Sequence, residues 1–233
     1  MKHLIACLAG GLAVAAALAG FTAPAAAADD FSPAEQALFM HDQMVHVSPP
    51  VTLGYHYHRA GTLGETFDDQ VSVTLRRQAD GSCCVGQTAF LSGPNRIELP
   101  GLEGGKANPV ILHFLERDIR EMQRMTRGMA NHFRQRIRMA IYASAQVRAV
   151  TLKYHGAEIA GTEITIAPYL DDPNRPKFEN LAGKRYQFLL SDAVPGGVYR
   201  LRSQADGQTP AAPPLAVEEL RLDGADADPL PAP

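Results

Sequence analysis

The chain has 233 residues, 45% hydrophobic, 20% charged and 7% aromatic, with 22 Lys and Arg against 25 Asp and Glu for a net charge of −3. That is too apolar and too weakly charged for a disordered protein, and the acidic balance argues against a nucleic-acid binder. Beyond the N-terminus no apolar run approaches the roughly 20 residues that span a bilayer, so the chain is read as not transmembrane.

The N-terminus reads as a secretory signal peptide. Met1-Lys2-His3 is a short basic start, Leu4 to Phe21 is apolar, and Ala26-Ala27-Ala28 meets the small-x-small cleavage rule just before Asp29-Asp30. The expected organisation is a signal over residues 1–28, a single α+β domain over 29–222, and an acidic Pro/Ala-rich tail over 223–233. The Arg-heavy, Ala-rich composition suggests a GC-rich Gram-negative bacterium, with the periplasm as destination. Once the signal and Cys7 are removed, Cys83 and Cys84 remain, adjacent in sequence. Neighbours in a strand point to opposite faces, so two plain thiols are the first expectation and a vicinal disulfide the alternative.

Phe31 to Val47 is predicted helical. Ser32 caps it, Pro33 takes the first helical position, and Glu35 completes a capping box, while Ser48-Pro49-Pro50 stops it. Val51 to Arg59, Gln70 to Arg77 and Cys83 to Leu91 are predicted strands, the last two joined at an Asp80-Gly81 turn signal. Ser92 to Ala107, rich in glycine, reads as an irregular loop. Asn108-Pro109 then opens a helix predicted to run to Tyr142, about 50 Å at 1.5 Å per residue. One stripe gathers Ile111, Leu115, Ile119, Met122, Met125, Met129, Phe133, Ile137 and Ala140, and the opposite side gathers Arg117, Arg120, Arg124, Arg127, Arg134 and Arg138. Gly128 is a candidate kink. Strands are predicted again over Val147 to Tyr154, Glu158 to Tyr169, Lys184 to Leu190, Val198 to Ser203 and Leu215 to Leu222. Hairpin signals between strands make the sheet antiparallel. The expected fold is α+β: a curved antiparallel sheet wrapped over one long amphipathic helix, with a short N-terminal helix.

This order resembles the periplasmic lipoprotein-carrier (Lol) type of half-barrel. The matching features are Val51 to Leu91, Asn108 to Tyr142 and Lys184 to Ser203, about half of the chain, and they are topological rather than motif-level. The resemblance implies a concave sheet that holds acyl chains under helices, and it transfers no individual residue.

No Gly-x-Ser-x-Gly, His-Glu-x-x-His, Walker loop or Cys-x-x-Cys occurs, so no enzyme is expected. The polar residues in or beside the apolar stripe stand out instead. Asp118 and Arg136 lie inside it and His132 at its edge, and a buried charge must be paired. These three, with Met122, Met125 and Met129, are the candidate ligand-binding residues, since methionine lines adaptable apolar surfaces. They are equally readable as core and structural ion pairs. His56 and His58 share one strand face and are candidate ligands for copper or zinc, and Met40, His41, Met44 and His46 form a second Met/His cluster. Otherwise no cofactor is expected. Arg120, Arg124 and Arg127 are candidates to dock an acidic protein partner or anionic headgroups. The functional expectation is a non-enzymatic exported carrier or binding protein for an apolar or amphipathic small molecule such as a lipid. The alternatives are a periplasmic copper- or zinc-binding protein and an accessory scaffold subunit of an envelope complex.

Overall fold

The computed structural model describes residues 31–81, 85–99 and 106–226. The expected signal peptide, Cys83 and Cys84, residues 100–105 of the glycine-rich loop and residues 227–233 of the tail lie outside the described residues.

Ser32 caps the first helix as its sequence requires. Its hydroxyl accepts the Glu35 amide at 3.2 Å, and the Glu35 carboxylate accepts the Ser32 amide at 2.9 Å. The helix, α1 (Pro33–Glu35), continues as one π-helical stretch over Gln36–Met40 and stops there. The predicted end at Val47 is therefore too late. Side chains just past Met40 hold the chain in other conformations. Asp42 Oδ1 accepts the Met44 amide at 3.1 Å, and Gln43 bonds back to the Ala37 carbonyl and across to the Asn108 amide at 2.7 Å.

Three strands follow, β1 (Val51–Ala60), β2 (Phe67–Arg76) and β3 (Val85–Phe90). Two helices, α2 (Pro109–Thr126) and α3 (Ala130–Ala143), separate them from β4 (Gln146–Tyr154), β5 (Ala157–Ile166), β6 (Arg185–Leu190), β7 (Val198–Ala205) and β8 (Ala216–Leu222). All eight strands form one antiparallel sheet in the order β3-β2-β1-β8-β7-β6-β5-β4, not closed into a barrel. The fold is α+β. Alternation assigns one face to the core: Tyr57, Leu220, Leu201, Phe188 and Ile164 stand side by side across β1, β8, β7, β6 and β5, all buried. The helices cover this face, bringing Val110, Ile111, Phe114, Ile119, Met122, Phe133 and Ile137 to it.

The single long helix is interrupted. Arg127 adopts a left-handed conformation (φ 56°), and its amide bonds to the Gln123 carbonyl at 2.8 Å, ending α2. The Thr126 hydroxyl donates to the Met122 carbonyl and accepts the Gly128 amide. Gly128 is required by close packing: a Cβ there would lie 2.7 Å from the Phe133 ring. Met129 then caps α3 and turns outward, 71% exposed, so the expectation that it lies in the buried stripe is overturned.

The far edge of the sheet coils strongly. Four strand spacings of about 4.8 Å would hold β4 about 19 Å from β8 in a flat sheet. Yet the tip of the β4–β5 hairpin meets the chain leaving β8. Tyr154 bridges Ala225, and the His155 amide bonds to the Gly224 carbonyl at 3.0 Å. The bulge between Leu189 and Leu190 in the β6–β7 pairing adds local twist.

Candidate functional site

Asp118 projects from α2 into the core and is fully buried. Its carboxylate accepts from Lys184 Nζ just before β6, from the Tyr186 hydroxyl at 2.5 Å and from the Ser203 hydroxyl of β7 at 3.0 Å. Tyr169 extends the chain through the Tyr186 hydroxyl at 3.1 Å. Burial, with the Asp118 charge beside it, pushes the Tyr186 hydroxyl well up, so both tyrosines stay neutral donors.

One turn further along α2, Glu121 accepts from Arg59 of β1 at 2.8 Å and from Arg124 at 2.7 Å. Burial alone would raise its carboxyl. The Arg124 hydrogen bonds and the charges of Arg117, Arg124 and Arg59 outweigh that and lower it. Glu218 of β8 lies 3.6 Å from Arg59 and 3.7 Å from Arg117, and burial raises its carboxyl. Arg117 thus turns inward toward Glu121 and Glu218, not outward with the other arginines as its helical position suggested. Sequence reasoning missed Lys184, Arg59 and Glu218. For the last two the signal was present, since Arg59 continues the inward series Leu53, Tyr55, Tyr57, and Glu218 sits between Ala216 and Leu220 on the same face.

His132 and Arg136, one turn apart on α3, converge on a single buried carboxylate. His132 Nε2 lies 2.7 Å from Asp172 and Arg136 Nε lies 3.5 Å from it, while Arg136 also donates to the Pro168 carbonyl at 3.0 Å. They moor the loop after β5. Met122 is buried in the core and Met125 is half-buried against it. The six candidate ligand residues therefore divide among a buried ion cluster, a loop anchor, core packing and, for Met129, solvent, and they are not brought to one pocket.

A cleft of about 990 Å³ lies elsewhere. Its floor is the sheet face opposite the helices, where Thr165, Gln187 and Arg202 stand in one row across β5, β6 and β7, beside Arg185 and Gln204. Its walls are largely apolar. Ile166 ends β5, Ala167 and Leu170 come from the loop that His132 and Arg136 hold, and Pro210, Ala212 and Pro214 from the β7–β8 loop. That second loop is tied down by the Leu215 amide on the Ala205 carbonyl at 2.9 Å and by the Thr62 amide on the Pro214 carbonyl at 3.1 Å. Arg202 is held in place by Glu219 at 3.0 Å and Gln204 at 2.7 Å, and burial lowers its guanidinium despite that partner. Arg185 pairs with Asp206 at the rim and is half exposed. The arrangement can grip an amphipathic molecule: an apolar body between the loops, and a polar head against fixed guanidinium and amide groups.

His56 and His58 do share a strand face, and both reach Asp68 of β2, at 3.4 and 2.8 Å. The histidine contacts hold the Asp68 carboxyl below its ordinary value. Among the described residues no group of three or more His, Cys, Asp and Glu is placed to hold a metal ion. The Met40, His41, Met44, His46 cluster is dispersed, with Met40 exposed, Met44 buried and His41 on Asp192 at 2.8 Å. Arg120, Arg124, Arg127, Arg134 and Arg138 are exposed, as the helical wheel requires. No described helix is long and apolar enough to cross a membrane.

No protein-family model matches the chain, and no curated protein matches it. Among solved structures, the crystal structure of lipoprotein LppX from Mycobacterium tuberculosis is similar to it at 11% sequence identity and a TM-score of 0.29, over 82% of this chain and 94% of that one. The likeness is weak, lies at the level of fold, and includes no shared motif.

Proposed function

We propose that this chain is an exported, non-enzymatic carrier or binding protein for an amphipathic small molecule such as a lipid, held in the cleft on the sheet face away from the helices. One observation carries the reading: a cleft of about 990 Å³ with a polar floor of Gln187, Arg202 and Gln204 and apolar walls from two anchored loops. A site of that size can enclose most of a drug-sized ligand. The signal-like residues 1–28 support export, and the periplasm is the destination we assign. The arginine face of α2 and α3 stays outside the cleft as a docking surface for an acidic partner.

Native mass spectrometry after gentle extraction is expected to show a bound lipid, and a fluorescent fatty acid is expected to titrate to one site. Ala212→Trp, which fills the wall, is expected to weaken binding at least tenfold without moving the unfolding midpoint, while Met125→Ala leaves affinity unchanged. Arg185→Gln at the rim is expected to reduce the preference for anionic over neutral headgroups. A protein that purifies empty and binds no fatty acid overturns the carrier reading. Binding lost in Met125→Ala but kept in Ala212→Trp moves the ligand to the helix side.

A further inference from the structure

The outward sides of α2 and α3 form one continuous surface of mixed chemistry. Glu116 of α2 accepts from Arg134 of α3 at 2.9 Å, which joins the two helices along their exposed sides. Arg120, Arg124, Arg127, Arg134 and Arg138 all stand there, in a chain whose net charge is −3. Glu116 also lies 3.7 Å from Arg120, and the buried Glu121 holds Arg124 at 2.7 Å. Among the described residues Arg127 and Arg138 have no carboxylate partner. Positive charge is therefore gathered on one side of the molecule and only partly neutralised.

Apolar side chains stand among these arginines. Met139 and Tyr142 lie three apart on α3, on the side away from the buried Phe133, Ile137 and Ile141, and are 44% and 56% exposed. Arg138 is one turn from Tyr142 on the same side. The Ser32 hydroxyl donates to the Ile141 carbonyl at 3.2 Å, which sets the exposed Phe31 beside the end of α3. An acidic polypeptide answers the arginines alone. A bilayer with anionic headgroups answers both groups. It offers phosphates at the depth of the guanidinium groups and, just below, the boundary of the acyl chains for the apolar side chains. Tyrosine favours that interface, and arginine stems lie along apolar surface while their heads stay with the phosphates.

We propose that the face formed by α2 and α3 docks on an anionic lipid bilayer, with Arg120, Arg127, Arg134 and Arg138 on the phosphates and Met139, Tyr142 and Phe31 at the acyl boundary. This rests on reading the arginine face as a docking surface and is independent of what fills the cleft. The helices would lie along the bilayer, since no described helix is long and apolar enough to cross it.

The chain has no tryptophan, so a single introduced one reports on its own position. In the full chain, Tyr142→Trp emission is expected to shift to shorter wavelength with vesicles of phosphatidylcholine and phosphatidylglycerol, to be quenched there by brominated acyl chains, and to stay unchanged with phosphatidylcholine alone. Thr52→Trp, on the sheet face opposite the helices, is expected to stay unchanged throughout. Arg120→Glu with Arg138→Glu, placed in the Tyr142→Trp chain, is expected to raise the lipid concentration for half-binding at least tenfold with the unfolding midpoint unmoved, and added salt to weaken binding likewise. A silent Tyr142→Trp overturns the proposal, and so does an equal response from Thr52→Trp, because the chain would then meet the bilayer elsewhere. Silence on vesicles with a response to poly-L-glutamate overturns the bilayer and keeps the arginine face as a site for an acidic protein. Silence to both removes the docking reading as well, and leaves the fatty-acid titration of the cleft to stand or fall by itself.

Discussion

At the scale of single residues, Asp118 and Lys184 dominate, because each is buried and each makes the other tolerable. Removing one partner leaves a buried charge unpaired, which costs about 3–5 kcal/mol. Asp118→Ala is expected to destabilise by that amount in urea unfolding. Replacing both together, Asp118→Leu with Lys184→Met, is expected to recover most of it. The methionines separate in the same assay: Met122→Ala costs about 2–5 kcal/mol because it empties packed core, and Met129→Ala stays within about 0.5 kcal/mol because the side chain is in solvent. Two groups raise stability with pH, while the buried Glu218, its carboxyl raised, works against them. Glu121 has a folded carboxyl below its unfolded value, so its contribution is present above the unfolded carboxylate range, about pH 4.3, and is lost as pH falls through the folded value. Burial lowers the imidazole of His113, which bonds to the Pro109 carbonyl at 2.9 Å. Its neutral form is favoured in the fold, so stability is expected to rise with pH up to the unfolded value near 6.5. The urea midpoint measured between pH 5 and 7 checks this, and His113→Gln is expected to flatten the slope.

At the scale of elements, the break between α2 and α3 depends on Gly128 lying against the Phe133 ring. Gly128→Ala must displace that ring and is expected to cost about 1–3 kcal/mol by thermal unfolding. The break also marks where the sequence was hard to read. The apolar positions from Ile111 to Ala140 keep a helical period straight through it, and no proline interrupts them. Gly128 was the single local sign, and the left-handed Arg127 gave none. The strands were legible because Val71, Val73 and Leu75 alternate with polar residues, and Ser32 with Glu35 fixed the first cap to the residue. The end of α1 was not legible, since it depends on Gln43 bonding to Asn108, 65 positions away. The cleft was the least legible feature. Its floor uses the polar sides of β5, β6 and β7, which read locally as an ordinary solvent face. Only the return of the 206–214 loop over Arg202 and Gln204 makes that face a wall of something. His132 and Arg136 stand four apart on one helix, a spacing that makes them neighbours, but Asp172, the carboxylate they share, lies in a loop with no periodic pattern to betray it.

At the scale of the whole molecule, strand order sets how the chain can assemble. β1 pairs on one side with β2, its neighbour in sequence, and on the other with β8, so residues 51–60 find their second partner only in residues 216–222. Without β8 the sheet is two separate pieces, β3-β2-β1 and β7-β6-β5-β4. A chain stopped before Ala216 is expected to lose the single cooperative unfolding transition of the full chain, a loss that calorimetry would register. Pairings this distant in sequence also slow folding, because closing so large a loop must precede any reward from the contact. The helix side depends on the same junction, since Glu218 of β8 faces Arg59 and Arg117. Synthesis delivers β8 after the other seven described strands. A growing chain therefore holds two unjoined pieces of sheet, each with an edge waiting for the same strand, until residues 216–222 emerge to seal them together.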